Sequence, residues 1–170
     1  GGGISYMGDK YRRVSTPDDA IIFRSNHKSA GIMTRAKKQH SWYFEDCVFN
    51  NVSDYILYLG ALPTTTFYFL NCQFNGSGAF VAGPSSGYEV IFEDCDFTNS
   101  VLKNTGLKDV VFKRCKIMGV NFSKVNPFLL EISFDECNLN LSSFYGLKLK
   151  SIKMDKCNLA ESDFAETDLS

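Results

Sequence analysis

The sequence has no long hydrophobic run and no visible targeting segment. Its 170 residues contain no stretch near the roughly 18 consecutive apolar residues that a membrane-spanning helix needs. The start, Gly1–Ile4, lacks a basic segment followed by an apolar one, so no secretory signal is visible. The triple glycine and the abrupt end at Ser170 suggest a piece of a longer protein.

Residues that usually carry chemistry are also scarce. The histidines are His27 and His40, too few for a set of metal ligands, and the cysteines lack a paired metal-binding spacing. No nucleophile–base pair, phosphate-binding loop or nucleotide motif appears. We therefore expect no metal, no cofactor and no catalytic residue, and a protein that is not an enzyme.

Charge is unevenly distributed, although the net charge is only −1. Residues 1–40 carry eight Lys or Arg and three Asp or Glu, whereas residues 41–170 carry ten and sixteen. The chain therefore has a basic N-terminal segment and a mildly acidic body.

A repeat centred on cysteine is the strongest pattern that the sequence does contain. Each cysteine follows a Phe or Met by three residues and precedes a Phe, Ile or Leu by two. The six are Cys47, Cys72, Cys95, Cys115, Cys137 and Cys157. Their separations are 25, 23, 20, 22 and 20 residues, so the chain returns to one structural position after each unit.

A shorter period of five residues lies within the units after residue 90. Large apolar residues recur at five-residue steps, with one slip of two residues, and a small or apolar residue stands two positions before each. New units begin at Phe92, Phe112, Phe134 and Met154. A period of five fits neither the 3.6 of a helix nor the 2 of a strand.

A chain that turns a corner every five residues accounts for both periods. Four steps close one coil, and coils stacked about 4.8 Å apart by β-pairing bury each other's interior. The sequence therefore predicts an all-β fold, a parallel β-helix or solenoid. Its interior would contain a structural ladder of the six cysteines and a second ladder of Phe92, Phe112, Phe134 and Met154.

The stacked arrangement argues against disulfides. Neighbouring cysteines would lie within bridging distance, but parallel Cβ vectors give poor disulfide geometry. Buried cysteine acts as a small hydrophobic residue. We therefore expect free structural thiols, which a reducing compartment permits.

Residues 90–170 resemble the pentapeptide-repeat family, whose motif is a small residue, a polar residue, Leu or Phe, and two further polar residues. Asn158–Phe164 and Thr167–Leu169 match this motif closely. The resemblance implies a right-handed quadrilateral β-helix and a bacterial protein.

The N-terminal part departs from the five-residue period. Residues 41–89 are similar to the wider coils of pectate-lyase-like β-helices, and we expect loops at Ser53–Thr66 and Gly76–Glu89. Residues 1–40 form an N-terminal segment or cap, in which Ala20–Phe23 and Gly31–Thr34 are expected strands of a first coil.

Interruptions of the repeat are the candidate partner-binding sites. Phe128 and Leu129 lie in the two-residue slip, and Tyr55 and Tyr58 lie near the N-terminal end. Aromatic residues are enriched at protein interfaces. The alternative is that these side chains fold back onto the core.

A basic cluster supplies a further candidate surface. It consists of Arg35, Lys37 and Lys38, beside His40. Such a cluster could contact phosphates, but a solvated loop is the simpler interpretation because no aromatic residue alternates with the charges.

Three functions remain open from the sequence. The first is a non-catalytic protein-interaction or scaffold module, either cytoplasmic or a sensor or secreted-effector domain of a larger bacterial protein. The resemblance implies a second, a DNA mimic that binds topoisomerase and protects it from quinolones. That mechanism needs a strongly acidic rod, and Lys113, Arg114 and Lys116 interrupt the acidic body.

The third function is a carbohydrate-active β-helix. Acidic residues recur just before the cysteines, and Asp46 and Asp94 would lie two coils apart, roughly 10 Å, near the upper limit for an inverting glycosidase. The alternative interpretation is an exposed ladder in which Asp94 and Arg114, and Glu136 and Lys156, pair across neighbouring coils. The identity of a protein partner and the oligomeric state cannot be inferred from these patterns.

Overall fold

The computed structural model describes residues 4–5, 21–24, 32–34, 42–50, 55–59, 65–75, 79–81, 88–103, 105–150 and 152–170. In these ranges the regular structure is almost entirely β. The strands are β1 (Ile4–Ser5), β2 (Ile21–Arg24), β3 (Ile32–Thr34), β4 (Trp42–Glu45), β5 (Val48–Asn50), β6 (Tyr55–Leu59), β7 (Thr65–Leu70), β8 (Gln73–Asn75), β9 (Ala79–Val81), β10 (Tyr88–Glu93), β11 (Leu107–Lys113), β12 (Leu130–Asp135) and β13 (Lys153–Asp155). Two 3-10 turns, Phe122–Lys124 and Pro127–Leu129, precede β12. No helix among these residues is long and apolar enough to cross a membrane.

One seven-stranded parallel sheet forms the longest face of the molecule, here called the main face. Its order is β2-β4-β7-β10-β11-β12-β13, so each strand pairs with the strand one coil away. The register places equivalent residues of successive units side by side. The aligned residues are Phe44, Phe69, Phe92, Phe112, Phe134 and Met154.

Three further columns of parallel pairs complete the coils. The second face begins with β5 and β8 and continues as single bridges through Asp96, Lys116, Asn138 and Asn158. The third face is bridged through Asn121, Ser143 and Asp163, and the fourth through Lys148 and Asp168. In the N-terminal coils, β1, β3, β6 and β9 form a separate four-stranded parallel sheet. The chain is therefore a parallel β-solenoid, as the repeat predicted.

The interior consists of stacked aromatic rings. The Phe92 ring lies 4.9 Å from Phe69 and 5.1 Å from Phe112, in both cases nearly parallel. A second column of rings lies on the second face and contacts the first column edge-on. The ring centroids of Phe97 and Phe92, for example, are 4.9 Å apart and the ring planes are inclined by 89°. Both geometries are favourable for aromatic pairs. The fully buried phenylalanines are Phe44, Phe49, Phe67, Phe69, Phe74, Phe92, Phe97, Phe112, Phe122, Phe134 and Phe144.

At several small inward positions the side-chain hydroxyl has a backbone carbonyl as its hydrogen-bond partner. The Ser142 hydroxyl donates to the Ile117 carbonyl at 2.6 Å, and the Thr167 hydroxyl donates to the Phe144 carbonyl at 2.8 Å. Each acceptor belongs to the preceding coil. A buried hydroxyl without such a partner would be destabilising, so serine and threonine fit these positions because the coil below supplies a carbonyl.

A left-handed backbone residue turns the corner between the main and second faces. The residue before every cysteine has φ between 49° and 55°. The six are Asp46, Asn71, Asp94, Arg114, Glu136 and Lys156, here called the first corner. Left-handed backbone costs a non-glycine residue about 1 kcal/mol. Sequence reasoning could not detect this conformation, because the glycine that usually marks such a corner is absent from all six positions.

The N-terminal interpretation needs one correction. The strands expected at Ala20–Phe23 and Gly31–Thr34 are present within a residue, as β2 and β3. The predictions of loops at Ser53–Thr66 and Gly76–Glu89 are wrong in part. Strand β6 lies within the first segment, and strand β9 lies within the second. Both segments pair as parallel strands, because β-pairing between coils does not require the five-residue period.

Candidate interaction surface

The six cysteines are aligned by the coils that hold them. Five are buried, at 1% exposed each, and Cys157 is half-buried; all six are free thiols. The Cys95 thiol donates to the carbonyls of Phe69, at 3.4 Å, and Glu93, at 3.3 Å. Burial raises the pKa of this thiol well above its usual value. A protonated, enclosed thiol is a poor nucleophile, so Cys95 packs the core.

Side chains of the first corner form ion pairs or hydrogen bonds with first-corner side chains of the neighbouring coil. Arg114 Nε and Nη2 donate to the two carboxylate oxygens of Asp94 at 2.8 and 2.9 Å, and Arg114 also pairs with Glu93. Lys156 pairs with Glu136 at 3.2 Å. The two cross-coil ion pairs expected from the sequence are therefore confirmed.

This pairing does not suit a general-acid role for Asp94. Hydrogen bonds from Arg114 lower the pKa of the Asp94 carboxyl. A glycosidase general acid needs a raised pKa, because it must hold its proton near neutral pH. Asp46, the other acid considered from the sequence, accepts a hydrogen bond from Asn71 Nδ2 at 2.7 Å.

The slip in the repeat is an ordered insertion that presents Phe128. The Phe128 side chain is 93% exposed, whereas Val125 just before the insertion is buried. Asn126 holds the turn at both ends. Its backbone N–H donates to the Thr105 carbonyl at 2.8 Å, and its side-chain oxygen accepts from the Phe128 N–H at 3.0 Å. After the insertion, Leu130 resumes the ladder in register with Leu107.

The other predicted binding residues are only partly described. Leu129 ends the second 3-10 turn, and Tyr55 and Tyr58 lie on β6, but these three side chains lie outside the described residues. Arg35, Lys37 and Lys38 lie outside them entirely. These six remain predictions.

An outward column on the main face was missed by the sequence interpretation. Tyr43, Tyr68, Ile91 and Val111 align on neighbouring strands, each directly before a core phenylalanine, and each is half-buried. The rings of Tyr43 and Tyr68 stack with centroids 5.3 Å apart. The sequence did contain a signal for this column. The family motif has a polar residue at this position, whereas these four residues are aromatic or aliphatic. We call these four residues the apolar stripe.

These features define a parallel β-solenoid with a packed interior and a patterned exterior. Residues 88–164 match the family model described as the pentapeptide repeat region. Over these residues the chain is similar to the pentapeptide-repeat family. No curated protein matches the chain.

Several solved structures are similar to the chain at low sequence identity. A trypsin-treated variant of QnrB1, a plasmid-mediated fluoroquinolone resistance protein, is 19% identical with a TM-score of 0.47, covering 86% of this chain and 73% of that one. Rfr23, a pentapeptide-repeat protein of the cyanobacterium Cyanothece 51142, is 11% identical with a TM-score of 0.30, covering 89% and 91%. Similarity at these levels concerns the fold alone.

Proposed function

We propose that this chain is a non-catalytic protein-interaction or scaffold module and that the insertion carrying Phe128 is one of its contact surfaces. One observation supports this proposal above others. Phe128 is 93% exposed, whereas the other exposed large hydrophobic residues among those described are at most 60% exposed. Burying a phenylalanine side chain contributes about 1.5–3 kcal/mol of favourable free energy. A partner that covers Phe128 would bury this side chain.

The local geometry suits an anchor residue. Asn126 fixes the turn through its bonds to Thr105 and to the Phe128 N–H, and Pro127 at the start of the turn restricts the backbone further. A preorganised aromatic side chain loses little conformational freedom on binding. Such side chains are typical interface hot spots.

A DNA mimic that binds topoisomerase is the main rival. It requires an acidic rod, and Lys113, Arg114 and Lys116 lie among the acids of this chain. A gyrase supercoiling assay, with and without a quinolone, separates the two functions. Inhibition of gyrase or protection from the drug would favour the mimic.

Site-specific photocrosslinking tests the proposed function directly. The photoreactive amino acid p-benzoylphenylalanine would replace Phe128 in cells that naturally express the chain. The matched control carries it at Leu141, which is 57% exposed on a regular coil. We expect a protein crosslinked from position 128 and absent from position 141. No adduct at 128, or the same adducts at both positions, would contradict the proposal.

A further inference from the structure

The apolar stripe crosses the outside of the main face. Strand alternation directs Phe67 and Phe69 inward and Tyr68 outward between them, and Ile91 and Val111 continue the same column one and two coils further on. Ser133 and Lys153 occupy the next positions, so the stripe ends at Val111. With strands about 4.8 Å apart, four residues span roughly 15 Å. Contiguous apolar patches on a protein surface are typical of interaction sites, so this half-buried column is a candidate for one.

The acidic excess of the body lies on the same side. From β4 to β13, the main-face strands and the first corner hold ten carboxylates and five basic residues, whereas the other described residues from 42 onward hold five of each. The ten are Glu45, Asp46, Glu89, Glu93, Asp94, Asp109, Glu131, Asp135, Glu136 and Asp155. The five basic residues are Lys108, Lys113, Arg114, Lys153 and Lys156.

Three of these carboxylates form a row beside the apolar stripe. Glu89, Asp109 and Glu131 follow one another on neighbouring strands and are exposed. They line an open groove of about 350 Å³ together with Val111 and Leu130, and Lys150 and Lys153 also line it. The groove therefore combines apolar side chains with a row of three carboxylates, and two lysines lie on the following coil.

We infer that the main face is a second docking surface, which binds a protein segment whose apolar side chains are flanked by Lys or Arg. The apolar residues of the partner would lie on Tyr68, Ile91 and Val111, and its cations would meet Glu89 and Glu131. A nucleic acid does not fit, because its phosphates would be repelled by these carboxylates. The inference rests on the proposed function as an interaction module but uses a surface separate from Phe128.

Selection from a random 16-residue peptide display library tests this inference, and fluorescence anisotropy then measures the affinity of each enriched peptide. We expect enriched peptides in which apolar residues are flanked by Lys or Arg. Tyr68→Ser, and the pair Glu89→Lys with Glu131→Lys, should each weaken their binding at least tenfold. Raising the salt concentration should weaken it further, because the charge pairs are exposed.

Matched variants keep the outcome specific. Tyr145→Ser removes another exposed tyrosine, and Glu161→Lys with Glu166→Lys makes the same charge change away from the main face. These controls should bind like the wild type, and circular dichroism verifies that all variants fold.

Three results would overturn the inference. One is the absence of enriched basic–apolar peptides, and another is equal binding by the main-face variants. A third is self-association, seen by sedimentation and abolished by Tyr68→Ser, which would assign the surface to a second copy. Loss of binding only in Phe128→Ala would refute this inference while supporting the proposed function.

Discussion

The ring of Phe112 lies directly over that of Phe92, with centroids 5.1 Å apart and planes inclined by 15°. Their backbones are paired in register on β11 and β10. The same relationship recurs along the main face, so each coil supplies the hydrophobic floor of the next. Stability and exterior geometry therefore have a common origin, because the stack that buries the rings also fixes the spacing of the outward columns.

Removing one ring from the stack should be strongly destabilising. Phe112 is 1% exposed and stacks on Phe92 and on Phe134. We expect Phe112→Ala to lower the free energy of unfolding by about 3–5 kcal/mol, because it leaves a cavity between two coils. Urea unfolding followed by circular dichroism measures the change. A loss below about 1 kcal/mol would be incompatible with a continuous stack.

Thr105 offers a stabilising substitution. Among the described residues its buried hydroxyl has no hydrogen-bond partner, whereas Val125 occupies the equivalent inward position one coil later. Thr105→Val keeps the shape and removes the unsatisfied group, so we expect a gain of about 1 kcal/mol. Thermal unfolding should show a higher Tm than the wild type, and Thr105→Ser, which keeps the hydroxyl, is the control. A lower Tm for the valine variant would show that the hydroxyl has a partner.

The ion pair of Asp94 with Arg114 should make a small, pH-dependent contribution to stability. Because the pair lowers the pKa of Asp94, the contribution is present above the usual value of 3.8 and is lost as the pH falls through the lowered pKa. Both side chains are nearly half exposed, so Asp94→Asn should cost less than about 1 kcal/mol at pH 7.

Urea unfolding at pH 7 and pH 2 tests this pH dependence. The Asp94→Asn variant and the wild type should come closer together at the lower pH, because protonation of Asp94 removes the ion pair. An equal loss at both pH values would mean that the ion pair is not the cause. Arg114→Gln, which removes the other partner, should show the same convergence.

The thiols should differ sharply in reactivity. Cys157 is half-buried, whereas the other five cysteines are buried. We expect one thiol per chain to react with Ellman's reagent in the native state and six after unfolding in guanidinium. Burial also raises the pKa of Cys157 above its usual value of 9.0, so its rate should still be rising at pH 9, because the thiolate is the reactive form. Cys157→Ser should abolish the native reaction. Simultaneous reaction of several thiols would contradict the enclosed ladder.

The sequence allowed the coil architecture to be predicted because the inward positions are chemically restricted. Phe92, Phe112 and Phe134 must fill one column, and cysteine must fit a narrow position beside it, so both recur at readable spacings. The strands at β6 and β9 were missed, because wider coils keep backbone pairing without a fixed five-residue period.

The exterior was harder to predict, for a physical reason. Tyr68 and Ile91 face outward, where any side chain is tolerated, and only the register of neighbouring coils shows that they form one column. Phe128 was identified as a candidate because it interrupts the repeat, but the choice between an exposed residue and a lid on the core required the structure. The 93% exposure of its side chain places it on the surface.

The affinity of the partner crosslinked at position 128 tests the central functional claim most directly. Isothermal titration would compare the wild type, Phe128→Ser and the control Leu141→Ser. If Phe128 is a contact anchor, its removal should raise the Kd at least tenfold, as expected of a hot-spot aromatic residue, while Leu141→Ser leaves the Kd unchanged. An unchanged Kd for Phe128→Ser would contradict the assignment of the insertion as a binding surface.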